Sequence, residues 1–238
     1  MNEYCSLVKS ELKNIRNLFS LNRQVRDFVL KGFFQQSRVW SEKECSFLRN
    51  AIDTELQNQC NTMFISESND RRIFDLDEYQ PGVTEIIDID RWRSLGESLL
   101  GHQLKECSVM AGKITYLEGS ALGSGGGWHR DTRYQNQFKV IFYLSDVSAK
   151  NGVFRYAVSS NRILNSLRDQ IKNRSTRYNS SYAKKYNVEQ LVGSTGDAIV
   201  VNTRGLHSGS PLLEGERYAI TLYFWPDSRP ATIPSKPK

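Results

Sequence analysis

The sequence has no uninterrupted apolar stretch near the ~18 residues that a membrane-spanning helix requires, and no pair of cysteines at CxxC spacing. Its four cysteines, Cys5, Cys45, Cys60 and Cys107, are scattered over the first half of the chain. That distribution excludes a disulfide framework and a cysteine-based metal site, and it fits a reduced compartment. The first residues, MNEYCSLVKSELKN, lack the basic start and hydrophobic block of a secretory signal. A cytoplasmic protein without a membrane span is therefore expected. Prolines are few: six in all, four of them in the segment 226–238, PDSRPATIPSKPK, which reads as a loose surface tail without catalytic residues. Histidines are scarcer still. There are three, and one stands in GGGWHRDTRYQ directly after a glycine run.

What is present is enough for one well-packed domain. The 238 residues are 39% hydrophobic, with 11 Tyr, 11 Phe and 4 Trp. The net charge is +6. The basic excess is concentrated in 161–185, where seven Lys or Arg, among them Arg162, Arg168, Lys172, Arg174 and Arg177, accompany one Asp. Such a segment steers an anionic small-molecule substrate, a phosphate-bearing one included, or is a solvated insertion. No basic helix is coupled to a recognisable nucleic-acid module, so a nucleic-acid partner is not expected.

The first 30 residues, with Leu7, Leu12, Ile15, Leu18 and Phe19 among charges, read as an amphipathic helix. Ser41 followed by Glu44 is a capping box ahead of Cys45, Leu48, Ile52 and Leu56, predicting a helix that runs to about residue 58. From residue 61 the period shortens. Segments 63–66, 71–76, 83–88, 113–118, 138–146, 152–158, 197–203 and 218–225 read as strands, with a short helix within 94–108. Many short strands with helices gathered at the front predict a mainly β fold, a sandwich or barrel rather than a βαβ array. The expected organisation is N-terminal helices over 1–60, a β core over 61–225 with a basic insertion near 161–190, and a Pro-rich tail over 226–238.

His129 and Asp131 stand two residues apart, and on an extended strand both side chains point to one side. A third ligand has to come from elsewhere. His207, in NTRGLHSGS after the strand-like GDAIVVNT, is the candidate, while His102 reads as ordinary surface. Two histidines and a carboxylate form the facial triad of non-haem Fe(II) oxygenases; a zinc hydrolase uses the same ligands. Arg217, ten residues beyond His207 at the start of YAITLYFW, shares a strand face with Ala219, Thr221 and Tyr223. A guanidinium there suits a dicarboxylate such as 2-oxoglutarate.

These residues, WHRD, then YLSDVSAKNGVFRYAVSSNR, then GD before an apolar strand, then LHSGS and an arginine, resemble the phytanoyl-CoA dioxygenase-like family of Fe(II)/2-oxoglutarate-dependent oxygenases. The likeness touches residues 27 to about 225. It implies a double-stranded β-helix, a cupin-like jelly roll with flanking helices. It implies an iron site at His129, Asp131 and His207, 2-oxoglutarate held by Arg217, and molecular oxygen as co-reactant. Departures accompany it. NGVFRYAVSSN lacks the family's prolines, second glycine and histidine; Ser210 replaces a common asparagine; and Ala219 replaces a serine, leaving Thr221 as the nearer hydroxyl. Lys139, facing with Ile141 and Tyr143, is a candidate to assist 2-oxoglutarate or substrate; otherwise it is an edge-strand lysine turned to water. Two other readings stand beside the small-molecule oxygenase: a cupin-like binding protein with a non-catalytic site, and a nucleic-acid-directed oxygenase.

Overall fold

The computed structural model describes residues 3–58, 62–65, 68–132, 135–173 and 175–230. The order is α1 (Glu3–Leu18), α2 (Arg23–Leu30), β1 (Phe33–Gln36), α3 (Glu42–Asn58), β2 (Thr62–Ile65), β3 (Asp70–Ile73), α4 (Leu76–Tyr79), α5 (Pro81–Ile86), α6 (Ile89–Leu100) and β4 (Glu106–Thr115). It continues with β5 (Phe138–Tyr143), β6 (Phe154–Ala157), α7 (Ile163–Lys172), α8 (Ser180–Ala183), β7 (Val188–Leu191), β8 (Ala198–Asn202), β9 (His207–Gly209) and β10 (Glu216–Trp225).

The strands form two sheets. The larger has the order β1-β8-β5-β10-β4-β3-β2 and the smaller β7-β6-β9, with antiparallel pairing in both. Period-2 alternation sorts the large sheet into two faces. Tyr218, Ile220, Leu222 and Phe224 of β10, with Phe138, Val140 and Phe142 of β5, pack against Phe28, Leu48, Ile52, Trp92 and Leu99 of the helices. Trp40 stacks on Phe142 at 3.9 Å between ring centroids. The intervening residues point the other way and line a cavity of about 1040 Å³ between the sheets. Both faces of β5 and β10 are thus covered, which is why their sequences are near-continuous apolar runs rather than clean alternations.

The capping box forms as read. The Ser41 backbone N–H donates to Glu44 Oε2 at 2.7 Å, the Glu44 N–H donates to Ser41 Oγ at 3.3 Å, and α3 ends at Asn58. Other expectations change. Residues 83–88 are not a strand: Pro81 opens α5, its fixed φ suiting a first helical turn. The helix expected within 94–108 starts earlier, at Ile89 under an Asp88 cap, and stops at Gly101 with φ 74°; β4 then begins at Glu106. With these helices the chain is mixed α and β. His102 is buried rather than on the surface, its Nδ1 3.1 Å from the Gln103 carbonyl. The tail is not loose where it is described. Pro226, Asp227, Ser228 and Pro230 line the cavity, and Arg229 Nη1 donates to both oxygens of Asp75 at 2.8 Å. Residues 231–238, and Cys60, lie outside the described residues. Among the described residues no helix is long and apolar enough to cross a membrane.

Candidate metal centre

His129 and His207 form an exchanged backbone pair, each N–H donating to the other's carbonyl at 2.9 Å. The Asp131 N–H donates to the Thr203 carbonyl at 3.0 Å. The segment 129–131 therefore lies extended along 203–207, which puts the three side chains on one side. The ligand atoms of His129, Asp131 and His207 all lie within 4.8 Å of one another. Each imidazole is oriented by its own turn, with His129 Nδ1 2.8 Å from the Gly127 carbonyl and His207 Nδ1 2.9 Å from the Gly205 carbonyl. Nδ1 is thereby the protonated nitrogen, and Nε2 is left with a lone pair facing Asp131 at 3.7 Å in both cases.

The glycine run before this segment has a steric cause. Gly125, Gly126 and Gly127 have φ of 86°, 68° and 91°, a left-handed succession that side chains disfavour. Gly123 lies so close to β9 that a Cβ would fall 2.0 Å from the Ser210 carbonyl oxygen. The loop can thus lie against His207's strand and deliver His129 to it.

Burial dominates the electrostatics. It pushes His207 down to about 3, with His129 adding to the effect, and it lowers His129 as well. For Asp131, burial favours the neutral form but is outweighed by Lys139 and the two imidazoles, which hold the carboxyl well below its usual range. Neutral imidazoles beside an ionised carboxylate are the protonation states that a divalent metal needs.

Lys139 does not turn to water. β5 is an inner strand, Lys139 is buried, and its Nζ lies 2.5 Å from Asp131 Oδ2 and 3.7 Å from the centre of the Tyr223 ring. Its cross-strand partner on β10 is Tyr223. Thr221, opposite Ile141 and Met110, is buried on the same cavity face.

Arg217 closes the deep end. It is buried, Nη1 donates to the Gly152 carbonyl, and Nε has no hydrogen-bond partner among the described residues. Its pKa is lowered by burial, with Tyr143 and Asp70 opposing. Gly152, with φ 81°, is the glycine retained in the departing NGVFRYAV segment; a Cβ there would meet Leu212 at 2.4 Å. Between Arg217 and the histidines the floor is low, made by Ala219 with Gly112 opposite it.

Four of the basic insertion residues fall elsewhere or are not described. Arg162 precedes α7 at its N-cap position without a capping side-chain bond, Arg168 bonds Tyr186, Lys172 closes α7, and Arg174 lies outside the described residues. Arg177 does line the cavity, bonded through Nη1 to the carbonyls of Gly125 and Gly126. The insertion docks on the histidine segment through Arg130 N–H to the Thr176 carbonyl and Tyr178 N–H to the Trp128 carbonyl, both 2.9 Å. Arg130 faces away from the cavity centre into a buried node, donating to Asp169 of α7 at 2.6 Å and to the carbonyls of Ser160 and Arg204.

Sequence reading missed Asp70 and Arg72, which line the cavity from β3. Arg72 donates to Asp70 Oδ2 at 2.7 and 3.0 Å and to Ser124 at 3.2 Å. The only signal was alternation within RRIFDL, which does not say which arginine turns inward.

No family model and no curated protein matches the chain. Solved structures do. SnoK, a non-heme alpha-ketoglutarate-dependent carbocyclase from nogalamycin biosynthesis, superposes with a TM-score of 0.67 at 15% identity, over 87% of this chain and 85% of that one. EctD from S. alaskensis in its apoform gives 0.67 at 16%, over 86% and 76%. HygX from Streptomyces hygroscopicus with nickel, 2-oxoglutarate and hygromycin B bound gives 0.64 at 20%, over 91% and 95%. By fold, this chain is of one kind with those three proteins, and its His129, Asp131 and His207 converge in the cavity between its two sheets.

Proposed function

We propose that the protein is an Fe(II)- and 2-oxoglutarate-dependent oxygenase, built on a double-stranded β-helix core, that hydroxylates a small-molecule substrate. One observation carries the reading: two imidazole Nε2 atoms and a carboxylate converge in the same cavity as a buried arginine whose Nε has no partner. His129, Asp131 and His207 would hold the metal on one face, as in the facial triad, and leave the opposite face open. Fe(II) held there would supply the oxidative decarboxylation of 2-oxoglutarate by molecular oxygen, giving succinate and carbon dioxide, that is coupled to oxidation of a substrate C–H bond.

The chain's own groups do the positioning. Arg217 offers Nε and its second amino group to the distal carboxylate, in a pocket dry enough for the pair to hold. The low floor at Gly112 and Ala219 leaves room for the carbon chain, and Thr221 presents a hydroxyl beside it. Lys139 keeps Asp131 ionised and stands next to the cosubstrate's place. A volume of about 1040 Å³ exceeds what 2-oxoglutarate alone fills and leaves space for a metabolite-sized second ligand. Arg177 and Lys139 favour an anionic one. HygX with bound hygromycin B and SnoK of nogalamycin biosynthesis are precedents for small molecules on this fold.

Anaerobically purified protein loaded with Fe(II) is expected to form succinate from 2-oxoglutarate on admission of oxygen, and His129→Ala is expected not to. Absence of both turnover and 2-oxoglutarate binding in the wild type would replace this reading with that of a binding protein.

A further inference from the structure

The basic insertion holds one acid among its seven Lys or Arg, and that acid, Asp169, is the residue the fold buries. Its partner is Arg130, which stands between His129 and Asp131 in the chain. Arg130 Nη2 and Asp169 Oδ2 are 2.6 Å apart, and each side chain is 1% exposed. Asp169 is fixed in turn by Tyr186, whose hydroxyl donates to the same oxygen at 2.5 Å. The other end of the guanidinium fork ties down two further segments. Arg130 Nη1 donates to the Ser160 carbonyl at 2.9 Å and to the Arg204 carbonyl at 2.5 Å. Arg204 lies between Thr203, which accepts the Asp131 N–H, and His207. One side chain therefore fastens the 129–131 segment both to the stretch that carries His207 and to α7.

A buried ion pair adds little net stability over apolar packing of equal volume, because desolvation offsets the attraction. What a planar guanidinium adds is direction, since its donors sit in a rigid fork. Here the directed element is the backbone that spaces His129 from Asp131 and lays it along 203–207. Asp169 itself is not among the cavity-lining residues, so its influence on the ligands runs through Arg130. We infer, on the metal-dependent reading proposed above, that Arg130 and Asp169 are positioning residues for the metal centre. The insertion that carries α7 is then a brace that sets the spacing of His129, Asp131 and His207.

The probe is Co(II), with affinity read by calorimetry and site geometry by visible absorption, on folded protein below its melting temperature. Asp169→Ala and Arg130→Met are each expected to weaken Co(II) binding about tenfold, the lower end of the ~10–100-fold range for outer partners of a metal site, and to shift the absorption bands. The double variant should bind no more weakly than either single one, because the two residues act as a unit. Asp169→Asn keeps the shape and an acceptor for Arg130; it should fold and lose less affinity than the alanine variant. Leu48→Ala, which lowers stability from the helix side of the large sheet, should leave both readouts at wild-type values. Variants that bind Co(II) as wild type does, or single effects that add in the double variant, overturn the inference and leave the proposed function standing. A wild-type chain that does not bind Co(II) overturns the metal centre and the inference together.

Discussion

The two ends of the cavity are charged in opposite styles. At the end with the two histidines every group has an internal partner. Asp131 is held by Lys139, and both histidines are oriented by backbone carbonyls. At the deep end Arg217 is equally buried but keeps an unpaired Nε and has no carboxylate bonded to it among the described residues. The comparison shows how a folded chain can prepare two binding events differently. Under the proposed function a metal would have to displace or share an existing ion pair, whereas an anion at Arg217 would satisfy a guanidinium that the fold leaves wanting.

Removing a ligand should have the largest effect. His129→Ala is expected to abolish metal-dependent succinate formation and calorimetric metal binding while leaving the circular dichroism spectrum unchanged. Arg217→Ala comes next, raising the dissociation constant for 2-oxoglutarate about 100-fold with metal affinity little altered, since a buried charged partner is worth ~2–5 kcal/mol. Arg217→Lys should recover part of this, a point charge replacing a planar fork. Equal loss of metal and cosubstrate in either variant would erase the distinction between the two ends.

Lys139→Met sharpens the comparison from the other side. Stripped of its ammonium, buried Asp131 should destabilise the metal-free protein by about 3 kcal/mol. Added Co(II) or Ni(II), serving as the replacement counter-charge, should then raise the melting temperature more in the variant than in wild type. An equal rise in both would mean that Lys139 does not act through Asp131. The smallest effect concerns pH. His207 titrates near 3 in the folded chain and near 6.5 when unfolded. Between those values the unfolded state binds the extra proton, so stability falls as pH falls. For metal-free protein the loss at pH 5 relative to pH 7 is on the order of 2 kcal/mol, read from urea midpoints. His207→Gln should flatten that slope.

The candidate site was legible because short motifs carry local geometry. His129 and Asp131 at a two-residue separation, His207 just after an apolar strand, and Arg217, Lys139 and Thr221 by alternation all lie on one cavity. The glycine run also announced itself, although its reason, close passage of Gly123 beside Ser210, needs a second strand to be visible. Less legible were choices between faces. α3 and α1 have similar lengths and similar apolar periods, yet α3 buries Leu48 and Ile52 while α1 exposes Leu12 and Ile15. Periodicity says that a helix has two faces, and the polar anchors available on the body decide which one turns inward. For the same reason Arg72 and Asp70, and the tail residues Pro226, Asp227, Ser228 and Pro230, could not be assigned to the cavity from the sequence.

By itself, then, the sequence determined the local terms: the capping box at Ser41, the alternation of β5 and β10, and the spacing that aims His129 and Asp131 to one side. Each depends on bond geometry and nearest neighbours. Only the tertiary structure decided which long-range partners meet: His207 beside His129, Lys139 on Asp131, Arg217 with a bare Nε, and Arg229 pinning the tail to Asp75. Those pairings depend on which buried charges find a counter-charge once water is excluded, a balance of desolvation and contact that exists only when distant segments are packed together.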